Sequence, residues 1–126
     1  MNERDEGYLQ DMLEATDKIL LRTRGLRKNQ YDADEDKQIV FTHLVQIIGE
    51  AASRVSQTTR EAYQQIPWAQ IIGTRHRVVH DYINVDTEIL WEIVTVQIPE
   101  LRTELLQIIP LDSDENGEEQ NDAEDA

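Results

Sequence analysis

Apolar residues in this chain recur at intervals of three and four and nowhere alternate over a useful length, which leaves the α-helix as the regular element the sequence supports. From Tyr8 to Leu26, the residues Leu9, Met12, Leu13, Ile19 and Leu20 mark one such stripe, and Gly25 is placed to end it. The acid cluster "DADED" at 32 to 36 precedes "KQIVFTHLVQIIGEAASRV". Carboxylates there suit the free N–H groups and the positive dipole of a helix start. Thr58 and Glu61 have capping-box spacing for a short third helix, and Pro67 in "IPW" stands at a first helical position of a fourth. Gly73 is expected to interrupt that fourth helix. After "NVD", with Asp86 as N-cap, the residues Trp91, Val94, Ile98, Leu101, Leu105 and Ile108 form a long stripe. Pro99 should kink or restart it, because proline lacks a donor and crowds the preceding turn. No repeat of solenoid period is present. The predicted fold is all-α, an antiparallel bundle of four or five helices. A chain of 126 residues with 39% hydrophobic content holds one such core rather than two.

Charge divides the chain unevenly. The formal net charge is −14, which by itself argues against a nucleic-acid partner, since phosphate binding draws its affinity from lysine and arginine. The segment "DSDENGEEQNDAEDA" at 112 to 126 holds 8 of the 26 acids and no base, so residues 1–111 carry 12 bases against 18 acids, a net −6. With no large apolar side chain to offset the entropy of ordering, 112–126 is expected to be a disordered acidic tail that aids solubility or competes with a polyanionic ligand. Residues 1–111 form the helical domain. Without cysteine there is neither a disulfide framework nor a thiolate zinc site. No signal-like start and no membrane-length apolar run is present, so a soluble cytoplasmic protein without membrane contact is the expectation.

One segment departs from this bland pattern. "RHRVVHDY" at 75 to 82 gathers two of the three histidines, an arginine pair, an aspartate and a tyrosine around two valines. At about 100° per residue, His76 and His80 share a helix face, whereas Arg75 and His80 differ by about 140°. For Arg75 and His80 to meet on one substrate, the helix distorts near Gly73, the arginine reaches around, or a second copy supplies a partner; a symmetric homodimer provides the last. Plain readings compete. His43, beside Phe41, Leu44 and Val45, is expected to be structural. His76 and His80 have metal-ligand spacing, but no glutamate sits between them and no third ligand is evident, so neither a metal nor another cofactor is expected. Arg75 and Arg77 are also suited to surface ion pairs of little energetic weight, and Tyr82 to an ordinary interface. Against these stands a convergence within two turns: a permanently charged fork for phosphate, a side chain titrating near neutrality and a second polar histidine.

The spacing of Arg75, His76, His80 and Tyr82 resembles the signature of the HEPN superfamily. With the flanks "IIGEA" (47–51), "IPW" (66–68), "IIGTR" (71–75) and "VDTEILWEIV" (85–94), the chain is similar over residues 8 to 109 to the HepT-like ribonuclease toxins paired with MntA-like nucleotidyltransferase antitoxins. His76 and Asp81 stand where family members usually carry asparagine and often glycine. The resemblance implies a metal-independent endoribonuclease with Arg75 and His80 as the catalytic pair and His76 assisting. The chemistry fits: attack of the RNA 2′-hydroxyl on the adjacent phosphorus needs a proton acceptor, a proton donor and stabilisation of charge on the phosphoryl oxygens. His80 serves one proton role and Arg75 holds the oxygens. Glu50 of "IGEA" is a candidate for orienting Arg75, with helix packing as the competing explanation. Arg77 and Asp81 are candidate supporting residues. For Tyr82 the resemblance implies AMPylation by the antitoxin, adding bulk and negative charge beside the RNA cleft. The alternatives are a non-catalytic HEPN module that binds RNA, or a dimer that only holds a partner protein.

Overall fold

Four long helices carry the fold in a computed structural model that describes residues 1–78 and 85–109, without the side chains of Arg75 and His76. Helix α1 (Glu3–Thr23) begins where Asn2 Oδ1 accepts from the Asp5 N–H at 2.7 Å, with Glu3, Asp5 and Glu6 in its first turn. It starts five residues before the apolar stripe, because this polar cap can nucleate the helix ahead of its buried face. It ends as predicted at Gly25, whose φ of 72° other residues adopt only with strain. The short α2 (Lys28–Asp32) leads to α3 (Glu35–Arg54), which Asp34 caps by accepting from the Lys37 N–H. The acid cluster thus acts as expected.

Helix α4 (Gln57–Ala62) is capped by Ser56, not by Thr58. The reason is tertiary: Ser56 N–H (3.0 Å), Ser56 Oγ (2.6 Å) and Thr59 Oγ1 (2.6 Å) all donate to the carboxylate of Asp5, which is only 1% exposed. This buried anion ties the start of α1 to the end of α3, so the two helices run antiparallel. Helix α5 (Trp68–Val78) starts one residue after the expected Pro67, whose carbonyl accepts from the Ile71 N–H. It then passes through Gly73 without a break. Gly73 costs helix propensity without stopping the helix, because packing of the neighbouring positions on α3 outweighs about 1 kcal/mol of backbone entropy.

The fourth long helix is continuous from α6 (Thr87–Glu92) through a π-helical turn (Ile93–Gln97) into α7 (Ile98–Ile108). Asp86 caps it as predicted, accepting from the Ile89 N–H. Pro99 cannot donate to the Thr95 carbonyl and its ring would press on that oxygen. The turn before it widens, and the Ile98 N–H reaches back five residues to Ile93. The proline is therefore accommodated by a local change of helix type. Its stripe faces inward, with Val94, Ile98, Leu101, Leu105 and Ile108 all buried against Leu9, Met12, Ile19, Phe41 and Ile48 of α1 and α3. Helix α1 packs on α3, α5 on the other flank of α3, and α7 on α1, where Arg102 pairs with Asp17. The architecture is an all-α bundle, as the periodicity predicted. Among the described residues no helix is long and apolar enough to cross a membrane. His80, Asp81, Tyr82 and the acidic segment 112–126 lie outside the described residues.

Candidate active site

The backbone of Arg75 lies in the last turns of α5. Thr74 and Val78 are buried there, while Arg77 is exposed. Position 75, four residues after Ile71 and three before Val78, thus falls at the margin of the packed face, and position 77 faces away. Basic residues in a final turn meet the negative end of the helix dipole, so the site's charge is also locally favourable.

Immediately beyond Val78 comes the segment that carries His80 and Tyr82. Both of its flanks are fixed. The Asp86 N–H donates to the Val78 carbonyl at 2.7 Å, tying the exit of the segment to its entry. One residue on, the Thr87 carbonyl accepts from the Tyr31 hydroxyl at 2.6 Å. Tyr31 is wholly buried, packed against Trp91 and Phe41. Burial, and then the charges of Glu88, Asp32 and Asp86, push its phenol well above the ordinary tyrosine value, so it remains a neutral donor. Outside this anchor, Lys28 bridges Asp32 and Glu88 and ties α2 to α6. Local sequence marks Tyr31 only as an aromatic in a polar stretch, because its partners Thr87 and Trp91 are 56 residues away or more.

Glu50 lies on the outward side of α3, where its Oε2 accepts from Arg54 Nε (3.0 Å) and Nη2 (2.6 Å). Glu50 and then Tyr8 favour the charged form of Arg54 and raise its pKa further. These residues line an open groove of about 610 Å³ between α1 and α3, together with Asp11, Lys18 and His43. His43 is exposed on this groove, because the helix turns it away from its buried neighbours Phe41, Leu44 and Val45. Ile39 (60% exposed), Val40 and Ile47 stand out on the same side of α3. Among the described residues no group of three His, Cys, Asp or Glu side chains is placed to hold a metal ion.

Comparison with known proteins identifies the bundle: the family model described as "Ribonuclease HepT-like" matches residues 12–108. The chain belongs to the HepT-like ribonuclease family. The matched span runs from the middle of α1 to the end of α7 and so takes in most of the bundle and the sequence from Arg75 to Tyr82. Similar proteins include the "Putative RNase MJ1216" of Methanocaldococcus jannaschii, 30% identical over 122 residues that cover 96% of this chain and 98% of the relative. The "Putative RNase TTE0752" of Caldanaerobacter subterraneus is 29% identical over 102 residues, covering 81% and 91%. The "Probable ribonuclease HepT" of Thermococcus cleftensis is also 29% identical over 102 residues, covering 81% and 93%. No solved structure matches the chain significantly. As a member of the HepT-like family the chain is a ribonuclease.

Proposed function

We propose that this HepT-like ribonuclease is a metal-independent endoribonuclease toxin that cleaves RNA in a groove between two copies of the chain. Arg75 binds the phosphoryl oxygens of the scissile linkage through its guanidinium, which strengthens its hold as charge develops in the transition state. His80 moves the proton of the attacking 2′-hydroxyl or of the leaving 5′-oxygen, and His76 assists. Glu50 orients Arg75, and Arg77 and Asp81 adjust the charge around it. A nucleotidyltransferase antitoxin silences the enzyme by attaching AMP to Tyr82, whose added negative charge beside Arg75 and Arg77 opposes RNA entry.

The observation that carries this reading is the tether. The Val78 carbonyl and the Asp86 N–H, which bracket the seven residues 79–85 that include His80 and Tyr82 in sequence, are 2.7 Å apart directly after the helical turn of Arg75. A phosphate-binding group and a proton-transfer group must be held close together for this chemistry, and a closed backbone at this point of the chain supports that requirement. The proposed dimer is supported by the outward face of α3, where Ile39, Val40 and Ile47 make an apolar strip with charges of both signs around it. A twofold axis matches such a surface to itself. The test is incubation of the purified protein with total RNA, followed by mapping of the new ends. Arg75→Ala and His80→Ala should each abolish cleavage with helical content unchanged, and EDTA should leave the wild type active. Cleavage by His80→Ala at the wild-type rate refutes the assignment. RNA bound but returned intact by the wild type would favour the non-catalytic module.

A further inference from the structure

A second concavity lies on the opposite flank of α3, between α3, α5 and α7, and nothing in the ribonuclease reading uses it. Its floor is apolar, made by Val45, Ile48, Ile71, Ile98 and Leu101. Its rim is polar: Gln70 from α5, Gln97 from the π-helical turn, and Glu100 and Glu104, one turn apart on α7. The π-helical turn before Pro99 contributes both Ile93 and Gln97 to the wall. With a volume of about 120 Å³ it is well below the 300–1,000 Å³ typical of small-molecule sites, and about right for one long side chain.

We infer that this pocket is a socket for a single lysine or arginine side chain of a protein that docks on the α5–α7 face. The floor matches the aliphatic stem of such a side chain and the rim matches its cationic head. Among the described lining residues there is no lysine, arginine or histidine to answer Glu100 and Glu104, and neither glutamate forms an ion pair with a described residue. Glu104 is half-buried, and burial first, then the charge of Glu100, lifts its carboxyl above the ordinary value. An incoming cation relieves both. Beside the rim, Val96 is 50% exposed one turn before Glu100, giving the docking surface an apolar contact. The net charge of −6 over residues 1–111 attracts a basic partner to the surface as a whole. Thr74 lines the socket and directly precedes Arg75, so an occupant sits beside the helix that carries the arginine.

The inference stands apart from the ribonuclease reading and is tested without RNA. The full chain, labelled with ¹⁵N, is titrated with N-acetyl-lysine methylamide and, separately, with the norleucine analogue that keeps the stem and lacks the charge. The lysine compound should shift the amides around Gln70, Thr74, Gln97 and Glu104 and saturate at millimolar concentration, and the norleucine compound should bind at least fivefold more weakly. The double variant Glu100→Gln/Glu104→Gln should lose at least tenfold in affinity. Gln70→Lys, which places a cation on the rim, should block the site in a folded protein. Equal binding of the two compounds, no saturable shift, or binding of spermidine where the lysine compound fails would each overturn the inference. A photo-cross-linking residue at position 96 should then capture, in the native host, a protein joined within a few residues of a lysine or arginine, and the double glutamine variant should abolish the product. Capture of another copy of this chain, or no capture, overturns the docking of a basic partner.

Discussion

Replacing Asp5 by alanine should destabilise the domain far more than the usual change of an acid in a first helical turn. Asp5 is 1% exposed and accepts from the Ser56 N–H, the Ser56 hydroxyl and the Thr59 hydroxyl. Burial alone pushes its carboxyl up, but these hydrogen bonds to the anion outweigh burial and hold it below the ordinary value of 3.8. Hydrogen bonds to a charged group contribute about 1.5–3 kcal/mol each, but they share one carboxylate and are not additive, so the loss in Asp5→Ala is about 3–4 kcal/mol. With a urea slope near 1.5 kcal/mol/M, the midpoint falls by about 2 M. Asp5→Asn keeps the shape and one acceptor oxygen, and should lose about 1–2 kcal/mol. The sign with pH follows from the depressed value. The contribution of the ionised form is full above 3.8 and is lost as pH falls through the lower folded-state value, so wild type and Asp5→Ala should converge in strongly acidic solution. Urea unfolding followed by circular dichroism at neutral and acidic pH reads all three quantities. A loss below about 1 kcal/mol at pH 7, or a difference that grows on acidification, would refute the account of a buried, hydrogen-bonded anion.

Other outcomes follow from the same structure. Gly73→Ala should stabilise α5 by about 0.5–1 kcal/mol, raising the thermal midpoint by a few degrees, because the helix is unbroken there and a Cβ meets no atom within 4 Å. Tyr31→Phe leaves the Thr87 carbonyl without its buried donor and should cost about 1–2 kcal/mol in denaturant titration. If the Tyr31 anchor positions the 79–84 segment, RNA cleavage should fall with it. Ile47→Asp should convert a dimer into a 14.6 kDa monomer in light scattering and remove cleavage, whereas a monomeric wild type at micromolar concentration would defeat the proposed interface. Tyr82→Phe should keep cleavage yet resist the antitoxin, with mass spectrometry finding adenylate on the Tyr82 peptide of the co-expressed wild type; Tyr31, wholly buried, is not an alternative acceptor.

Sequence by itself determined what depends on neighbours three and four residues apart. The apolar stripes of α1, α3 and α7, the stop at Gly25 and the caps at Asp34 and Asp86 are local, so periodicity and capping chemistry reveal them. The family was legible too, from the order of Arg75, His76, His80 and Tyr82 and the motifs that flank them. Contacts between distant parts of the chain decided the rest. Ser56 rather than Thr58 caps α4 because Asp5, 51 residues earlier, holds its hydroxyl and N–H. Gly73 does not interrupt α5 because packing on α3 outweighs a weak local preference, and Pro99 is absorbed by a π-turn because the apolar stripe on both sides stays buried only if the helix continues. The exposure of His43 follows from helical spacing relative to Phe41, Leu44, Val45 and Ile48, whereas the burial of Tyr31 was beyond local reading, since it is set by Trp91 and Thr87 far along the chain. Tertiary structure also supplied the tether from Val78 to Asp86, a backbone bond that leaves no mark in residue identity and yet fixes where the segment carrying His80 and Tyr82 must start and end.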